Sequence, residues 1–81
     1  MIEIYTLPNC LNCKRLKEFC KNNNVDFIEK DVGKDFRAKA RLVVEGFEYM
    51  PVIAYKGMFY ECKNLEELKQ KVVDLAKCSN Q

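Results

Sequence analysis

The 81-residue sequence has no histidine and no tryptophan, and it contains three glycines and two prolines. Without histidine, cysteine–histidine catalytic pairs and mixed cysteine/histidine zinc sites are excluded. No run approaches the ~20 apolar residues that a membrane-spanning helix needs. The start of the chain, "MIEIYT", has neither the basic nor the apolar region of a signal peptide. We therefore expect a cytoplasmic protein without a membrane segment.

Size and charge favour one small globular domain over residues 1–81. Hydrophobic residues make up 48% of the chain and charged residues 32%, which is ordinary globular composition. The net charge of +2 is too small to indicate a nucleic-acid partner. We expect a monomer that binds neither nucleic acid nor a membrane.

Hydrophobic periodicity predicts an α/β protein. Strands are predicted over residues 2–6, 25–32 and 50–55, and the turn "KG" leads into a hairpin strand, "MFYEC". Helices are predicted from Cys10 to about Asn22 with Asn9 as N-cap, over 35–45 ending at Gly46, and from Asn64 onward. The order βαβαββα favours a four-stranded mixed sheet carrying three helices.

Each predicted helix has one apolar stripe that we expect to face the core. The stripes consist of Cys13, Leu16, Phe19 and Cys20 in the first helix, Phe36, Ala40, Val43 and Phe47 in the second, and Leu65, Leu68, Val72, Leu75 and Ala76 in the third.

Two of the five cysteines, Cys10 and Cys13, form a Cys-x-x-Cys pair in "TLPNCLNC". Five cysteines without a signal peptide indicate redox or metal chemistry rather than disulfide staples. Cys10 falls at the start of a helix, where free N–H groups and the helix dipole stabilise a thiolate. Cys13 follows one turn later, so the two sulfurs can meet. This predicts that Cys10 attacks a disulfide and Cys13 resolves the mixed disulfide.

Other uses of the pair are less well supported by the sequence. A structural zinc site needs a second cysteine pair, which Cys20, Cys62 and Cys78 do not form. Soft-metal carriers also place a Cys-x-x-Cys after their first strand, but their βαββαβ fold ends in a strand, whereas this chain ends in a helix. A non-enzymatic soft-metal or iron–sulfur protein using the same cysteines is the alternative function.

The stretches "IYTLPNCLNC" and "MPVIAYKGMFYECKNLEEL" resemble the dithiol glutaredoxins and glutaredoxin-like redoxins of the thioredoxin superfamily. The resemblance covers nearly the whole chain. It implies a thioredoxin-like fold and a thiol–disulfide oxidoreductase in electron transport that needs no metal or organic cofactor. It also implies that Met50-Pro51 is a cis peptide beside the dithiol and that the Met50 backbone pairs with substrate.

Around the dithiol and before the last helix, the sequence departs from the usual glutaredoxin pattern. Leu11 and Asn12 replace the Pro-Tyr pair between the cysteines. A lysine common in the family is replaced by Leu7. In "YECKN" (60–64), Cys62 is retained, whereas Tyr60 and Glu61 replace two glycines of the family, and Lys63 and Asn64 replace two aspartates. These differences predict weakened recognition of glutathione.

The resemblance leaves the physiological reductant open. The altered positions resemble redoxins that supply electrons to ribonucleotide reductase and are reduced by thioredoxin reductase, although the tryptophan of that branch is absent. We expect disulfide-containing proteins as substrates, with ribonucleotide reductase among the candidates, and thioredoxin reductase or glutathione as reductant. The residues expected to contact substrate are Pro8, Leu11, Asn12, Met50, Pro51 and Cys62.

The remaining cysteines have simpler predicted places. Cys20 shares the face of Cys13 and is predicted to be a small core residue. Cys62 is predicted to pack, with a regulatory thiol as the alternative. Cys78, near the end of the chain, is predicted to be exposed.

Overall fold

The protein is described by a computed structural model that covers residues 1–47, 50–61 and 64–79, with the backbone alone for residues 78 and 79. Its elements follow the predicted order βαβαββα. They are β1 (Ile2–Thr6), α1 (Leu11–Asn22), β2 (Phe27–Asp31), α2 (Phe36–Glu45), β3 (Val52–Tyr55), β4 (Met58–Tyr60) and α3 (Leu65–Ser79). Within these residues, no helix is both long enough and apolar enough to cross a bilayer.

The four strands form one mixed sheet in the order β2-β1-β3-β4. β1 lies parallel to β2, and both β1–β3 and β3–β4 are antiparallel pairs. The carboxyl ends of β1 and β2 therefore lie at the same edge of the sheet as the start of β3. β4 also ends at this edge, because it is antiparallel to β3. The dithiol lies here, in the segment that follows β1.

Apolar side chains fill both sides of the sheet. The larger cluster joins one face to α1 and α3 and contains Ile2, Ile4, Leu16, Cys20, Val25, Ile53, Tyr55, Leu68, Val72 and Leu75. The smaller cluster joins the other face to α2 and contains Tyr5, Val32, Ala38, Leu42, Val52 and Ala54. Cys20 is fully buried, as predicted. The burial of Leu68, Val72 and Leu75 confirms the central part of the predicted stripe of α3.

The predicted hairpin turn and two of the predicted helix caps are confirmed. Lys56 and Gly57 both have positive φ angles, 50° and 81°, which suit a tight hairpin turn. Gly46 ends α2 in the left-handed conformation, with φ of 78°. The side chain of Asn64 accepts a hydrogen bond of 2.9 Å from the Glu66 N–H and so caps α3.

The prediction that Asn9 caps α1 is wrong. The N-cap is Cys10, and Asn9 lies one residue outside the helix with a positive φ of 62°. Asparagine tolerates this left-handed conformation better than most residues, so it serves the sharp turn instead of the cap.

The predicted inward face of α2 is also wrong. Of that stripe, Phe47 packs against the smaller cluster, but Phe36 is 87% exposed and Val43 is 70% exposed. Ala38 and Leu42 point inward instead. The helix carries apolar residues on two opposite faces, and the sheet buries the face with Ala38 and Leu42.

Candidate active site

Cys10 and Cys13 are joined by a disulfide at the start of α1, with their Cα atoms 5.3 Å apart. Cys10 is partly exposed, whereas Cys13 is 2% exposed. Cys10 is therefore the more accessible cysteine of the pair, and Cys13 is largely covered by the fold. This asymmetry is what a dithiol with one attacking and one resolving cysteine requires.

The first turn of α1 places positive partial charge beside the Cys10 sulfur. As N-cap, the Cys10 side chain accepts a hydrogen bond of 3.2 Å from the Cys13 N–H. Unpaired N–H groups and the helix dipole at this end both favour a negative sulfur. A reduced Cys10 is thus placed where its thiolate is stabilised.

The turn that carries the dithiol is braced by the segment after β2. The Val32 N–H donates to the Thr6 carbonyl over 2.9 Å, which extends the β1–β2 pairing by one residue. Beyond it, Gly33 lies so close to Pro8 that an added Cβ would be 2.8 Å from the proline Cδ. Glycine is therefore required at position 33 for the present position of Pro8.

The Met50-Pro51 peptide is cis, in agreement with the expectation from the family resemblance. Tyr5 of β1 pairs with Val52 of β3, so Pro51 lies at the edge of the sheet where β1 continues into the dithiol turn. Pro51 is buried and Met50 is partly exposed.

An open groove of about 650 Å³ runs from the dithiol along α1 toward β2. Its walls combine apolar residues of the dithiol turn with charged residues of α1 and β2. They are Leu7, Pro8, Asn9, Cys10, Leu11, Cys13, Lys14, Lys17, Glu18, Lys21, Glu29 and Asp31. The groove thus lies on the β2 side of the dithiol, and Met50 and Pro51 lie on the β3 side.

A small polar network forms one wall of this groove. The Thr6 hydroxyl and the Lys17 ammonium each donate to the same oxygen of Glu29, both over 2.8 Å. These hydrogen bonds lower the pKa of the Glu29 carboxyl, and the one from Lys17 has the larger effect. Glu29 is therefore held as an anion next to the dithiol groove.

Several residues that the sequence singled out do meet here. Pro8 and Leu11 line the groove with the cysteines, and Leu11 is 59% exposed. Asn12 is exposed in the first turn of α1 but does not line the groove. Cys62, the remaining predicted contact, lies outside the described residues, as does the side chain of Cys78.

No pattern in the sequence indicated the Thr6–Glu29–Lys17 network. Thr6 ends the first strand, and Glu29 lies in the middle of the second. Two strands joined by a helix are expected to lie parallel, but the register that brings the two side chains together cannot be read from the sequence. Alternation assigns Thr6 and Glu29 each to one face of its own strand, but it does not show that the two residues are neighbours.

Among residues 1–47, 50–61 and 64–79, no three cysteine, aspartate or glutamate side chains are grouped to hold a metal ion. Cys10 and Cys13 are paired with each other in the disulfide. Cys20 is buried away from them in the larger core cluster.

A βαβαββα fold with a Cys-x-x-Cys disulfide at the start of α1 defines a thioredoxin-like redox protein. The sequence profile of the glutaredoxin family matches residues 2–60. The chain therefore belongs to the glutaredoxin family.

Solved structures agree with this assignment. The thioredoxin-like protein BC3987 is 38% identical, with a TM-score of 0.72 over 86% of this chain and 97% of that chain. The glutaredoxin-like NrdH-redoxin from Escherichia coli is 25% identical, with a TM-score of 0.72 over 85% and 91% of the two chains. A glutaredoxin from Archaeoglobus fulgidus is 29% identical, with a TM-score of 0.63 over 85% and 82%.

One curated relative matches over a shorter stretch. An uncharacterized glutaredoxin-like 8.6 kDa protein in a rubredoxin operon of Clostridium pasteurianum is 38% identical over 42 residues. The match covers 52% of this chain and 56% of that protein. The chain thus spans little more than half the length of the curated relative that it matches.

Proposed function

We propose that the protein is a thiol–disulfide oxidoreductase that reduces disulfides through Cys10 and Cys13. The observation that carries this proposal is the position of their disulfide, with a partly exposed Cys10 at the N-cap of α1 and a buried Cys13 one turn later. Membership of the glutaredoxin family supports it.

The proposed cycle transfers two electrons from the dithiol to the substrate. The Cys10 thiolate attacks one sulfur of the substrate disulfide, forms a mixed disulfide and releases the first substrate thiolate. The Cys13 thiolate then attacks the Cys10 sulfur and releases the second substrate thiolate. The released thiolates take up protons, and the protein is left with the Cys10–Cys13 disulfide. An external dithiol or thiol reductant must then return two electrons.

Protein disulfides are the proposed substrates. The neighbouring NrdH-redoxin is described as a glutaredoxin-like protein with a thioredoxin-like activity profile. By likeness to it, we propose thioredoxin reductase as the better reductant and glutathione as the poorer one, with ribonucleotide reductase as a candidate substrate. A cytoplasmic location is part of the proposal, because reducing conditions there keep such a dithiol supplied with electrons.

The roles of the two cysteines are tested by trapping. Cys62 and Cys78 are first replaced by serine, so that no thiol outside the described core competes. In this background, Cys13→Ser should accumulate a mixed disulfide with oxidised insulin, detected by intact mass. Cys10→Ser should form none at neutral pH, because the shielded Cys13 cannot reach a protein disulfide.

Two outcomes would contradict the proposal. Trapping through Cys13 in the Cys10→Ser variant would reverse the assigned roles. Retention of a stoichiometric metal or a visible iron–sulfur spectrum after anaerobic purification, without disulfide reduction, would favour the metal-binding alternative instead.

A further inference from the structure

The outer face of α2 is an apolar stripe that the fold leaves uncovered. Phe36 is 87% exposed, Val43 is 70% exposed and Val44 is 83% exposed, and Ala40 between them is exposed as well. At 100° per residue these four side chains fall within one arc of about 100°. We name this arc the α2 stripe.

The α2 stripe lies opposite the side of the helix that the sheet buries. The inward residues Ala38 and Leu42 lie about 190° around the helix from the centre of the stripe. Single exposed apolar residues are common on protein surfaces and need no explanation. A contiguous row on one helix face marks an interaction site more often than scattered residues do. The α2 stripe is therefore a candidate binding surface for a partner.

Basic side chains flank the α2 stripe on both sides. Arg37 borders one side and Lys39 borders the other, by the same helical geometry, whereas the guanidinium of Arg41 lies over the Phe59 ring, 5.1 Å from its centroid. Over residues 34–45 the chain has four basic side chains and two acidic ones, a net charge of 4 − 2 = +2. Within the described residues, no acidic side chain forms a salt bridge with Arg37 or Lys39. The complementary surface is apolar in the centre and acidic at the rim.

The α2 stripe begins at the edge of the sheet that carries the dithiol. α2 follows β2, whose end lies beside the end of β1. The connection passes through Gly33, which packs against Pro8 of the dithiol turn. Phe36 comes three residues after Gly33. A protein segment lying on α2 can therefore continue toward Cys10.

A second copy of this chain fits the surface poorly. Two α2 stripes would bring like charges together, and α2 is ten residues long, about 15 Å. Its three large side chains fall well short of the ~800 Å² per partner that a stable interface buries. A weak, transient partner of opposite charge suits a redox protein that must release each substrate.

We propose that the α2 stripe docks an acidic amphipathic segment of the protein whose disulfide Cys10 attacks. This inference rests on the proposed disulfide reductase function. In this proposal α2 determines which protein substrates bind, and the dithiol reduces their disulfides. The substrate class is thus a protein disulfide next to a helix with an apolar face and an acidic rim.

A tethered disulfide substrate tests this docking. The probe is a synthetic amphipathic peptide of about 14 residues, leucine on one face and glutamate elsewhere. A flexible linker of about ten glycine and serine residues joins it to a cysteine in mixed disulfide with a chromogenic thiol. The full-length dithiol protein should reduce it about tenfold faster than the linker and disulfide alone, because docking raises the effective concentration.

Matched variants assign the acceleration to the α2 stripe. Phe36→Ser combined with Val43→Ser should abolish the acceleration and leave reduction of the bare linker substrate unchanged. Met58→Ser is the control, since Met58 is 59% exposed on β4, outside α2. Arg37→Glu with Lys39→Glu should reverse the preference toward a peptide with lysine in place of glutamate. Added salt should weaken the acceleration in the native protein.

The results that would overturn the docking proposal are distinct from failure of the reductase proposal. Equal rates for the acidic, lysine and bare substrates would exclude docking on α2. Acceleration that survives in the Phe36→Ser, Val43→Ser variant would also exclude it. A concentration-dependent dimer that is lost in this variant would show that the stripe binds a second copy of the chain. Binding to phosphatidylglycerol vesicles, without acceleration by the acidic peptide, would show that it binds a membrane surface. If even the bare disulfide is not reduced, the reductase function fails. Docking is then judged by NMR shifts of α2 with a disulfide-free acidic peptide.

Discussion

The buried hydroxyl of Thr6 donates a 2.8 Å hydrogen bond to the carboxylate of Glu29, across the parallel pair β1–β2. Thr6 is 2% exposed, and it ends the strand that leads into the dithiol turn. Lys17 of α1 binds the same carboxylate oxygen. One acidic side chain thus ties the end of β1 to α1, on the wall of the groove beside Cys10 and Cys13.

Replacing Glu29 by alanine should destabilise the protein by about 1–2 kcal/mol, because the buried Thr6 hydroxyl loses its acceptor. Glu29→Gln keeps an acceptor oxygen for Thr6 and loses the charge that pairs with Lys17, so its cost should be below about 1 kcal/mol, as for partly exposed ion pairs. Urea unfolding of the reduced proteins at pH 7 measures both. Equal losses for the two variants would show that the charge, and not the Thr6 hydrogen bond, matters.

The contribution of the Glu29 charge should disappear in acid. Its pKa is lower in the folded protein than in the unfolded chain, because Lys17 and Thr6 donate hydrogen bonds to it. The stabilisation is therefore complete above the unfolded pKa of about 4.3 and is lost as the pH falls through the lower folded value. The difference in unfolding free energy between the native protein and Glu29→Gln should be constant from pH 6 to 7 and shrink in acid. A difference that grows in acid would contradict this.

Gly33→Ala should disturb the dithiol as well as stability. The new methyl group would lie 2.8 Å from Pro8 Cδ and 3.1 Å from Asp31 Oδ1, and such overpacking costs about 1–3 kcal/mol. Because Pro8 must move, the alkylation rate of reduced Cys10 should change too. Gly46→Ala is the matched control, since its Cβ would contact nothing and its left-handed φ of 78° should cost stability alone. An unchanged alkylation rate in Gly33→Ala would show that the turn absorbs the methyl group.

Cys20 should not react in the native reduced protein. Burial raises the pKa of its thiol to about 11, so roughly 0.1% is thiolate at pH 8, about two hundredfold less than for an ordinary thiol of pKa about 8.5. Peptide mapping after iodoacetamide treatment should find Cys20 unmodified until the protein is unfolded. Cys20→Ala should lower stability by about 1–2 kcal/mol through lost packing and leave disulfide reduction unchanged. Rapid native labelling would show that the helix opens readily at this position.

Turnover with glutathione and its reductase should be slower than turnover with thioredoxin reductase. Leu7 is 43% exposed beside the dithiol groove, where glutaredoxins commonly have a lysine. Asn64 is used as the cap of α3 and offers no carboxylate for a γ-glutamyl ammonium. Coupled assays with each reductase at equal protein concentration measure the ratio.

Leu7→Lys should raise the rate with glutathione severalfold, as expected for a charge-assisted contact, and leave the thioredoxin reductase rate unchanged. Leu7→Gln controls for the loss of the apolar side chain. Fast glutathione turnover by the native protein would refute the inference drawn from positions 7, 60, 61 and 64.

Local signals predicted much of the fold. The alternating strand "IEIYT", the turn at Lys56-Gly57 and the caps at Gly46 and Asn64 each satisfy the backbone through neighbouring residues, so the sequence shows them directly. The boundary of α1 shifted by one residue, because either Asn9 or Cys10 can cap a helix. Because Asn9 adopts the left-handed conformation of the sharp turn after Pro8, Cys10 is the N-cap.

Tertiary contacts decided the features that the sequence did not predict. α2 has two apolar faces, and periodicity alone cannot tell which one meets a sheet that is built from distant strands. The Thr6–Glu29 contact likewise depends on the register between β1 and β2. The pairing of Cys10 and Cys13 was predictable because one turn of a single helix separates them.

The short spacing of the disulfide separates redox chemistry from folding. A cross-link between residues three apart restricts the unfolded chain over about four residues, and the chain-entropy relation gives only about 2 kcal/mol for such a loop. The ten-residue core beneath it gathers strands and helices from across the whole sequence and contains neither cysteine of the pair. The protein can therefore lose and regain this covalent bond in every turnover while its architecture persists. The fold therefore does not depend on this disulfide, which is broken and re-formed as part of the reaction.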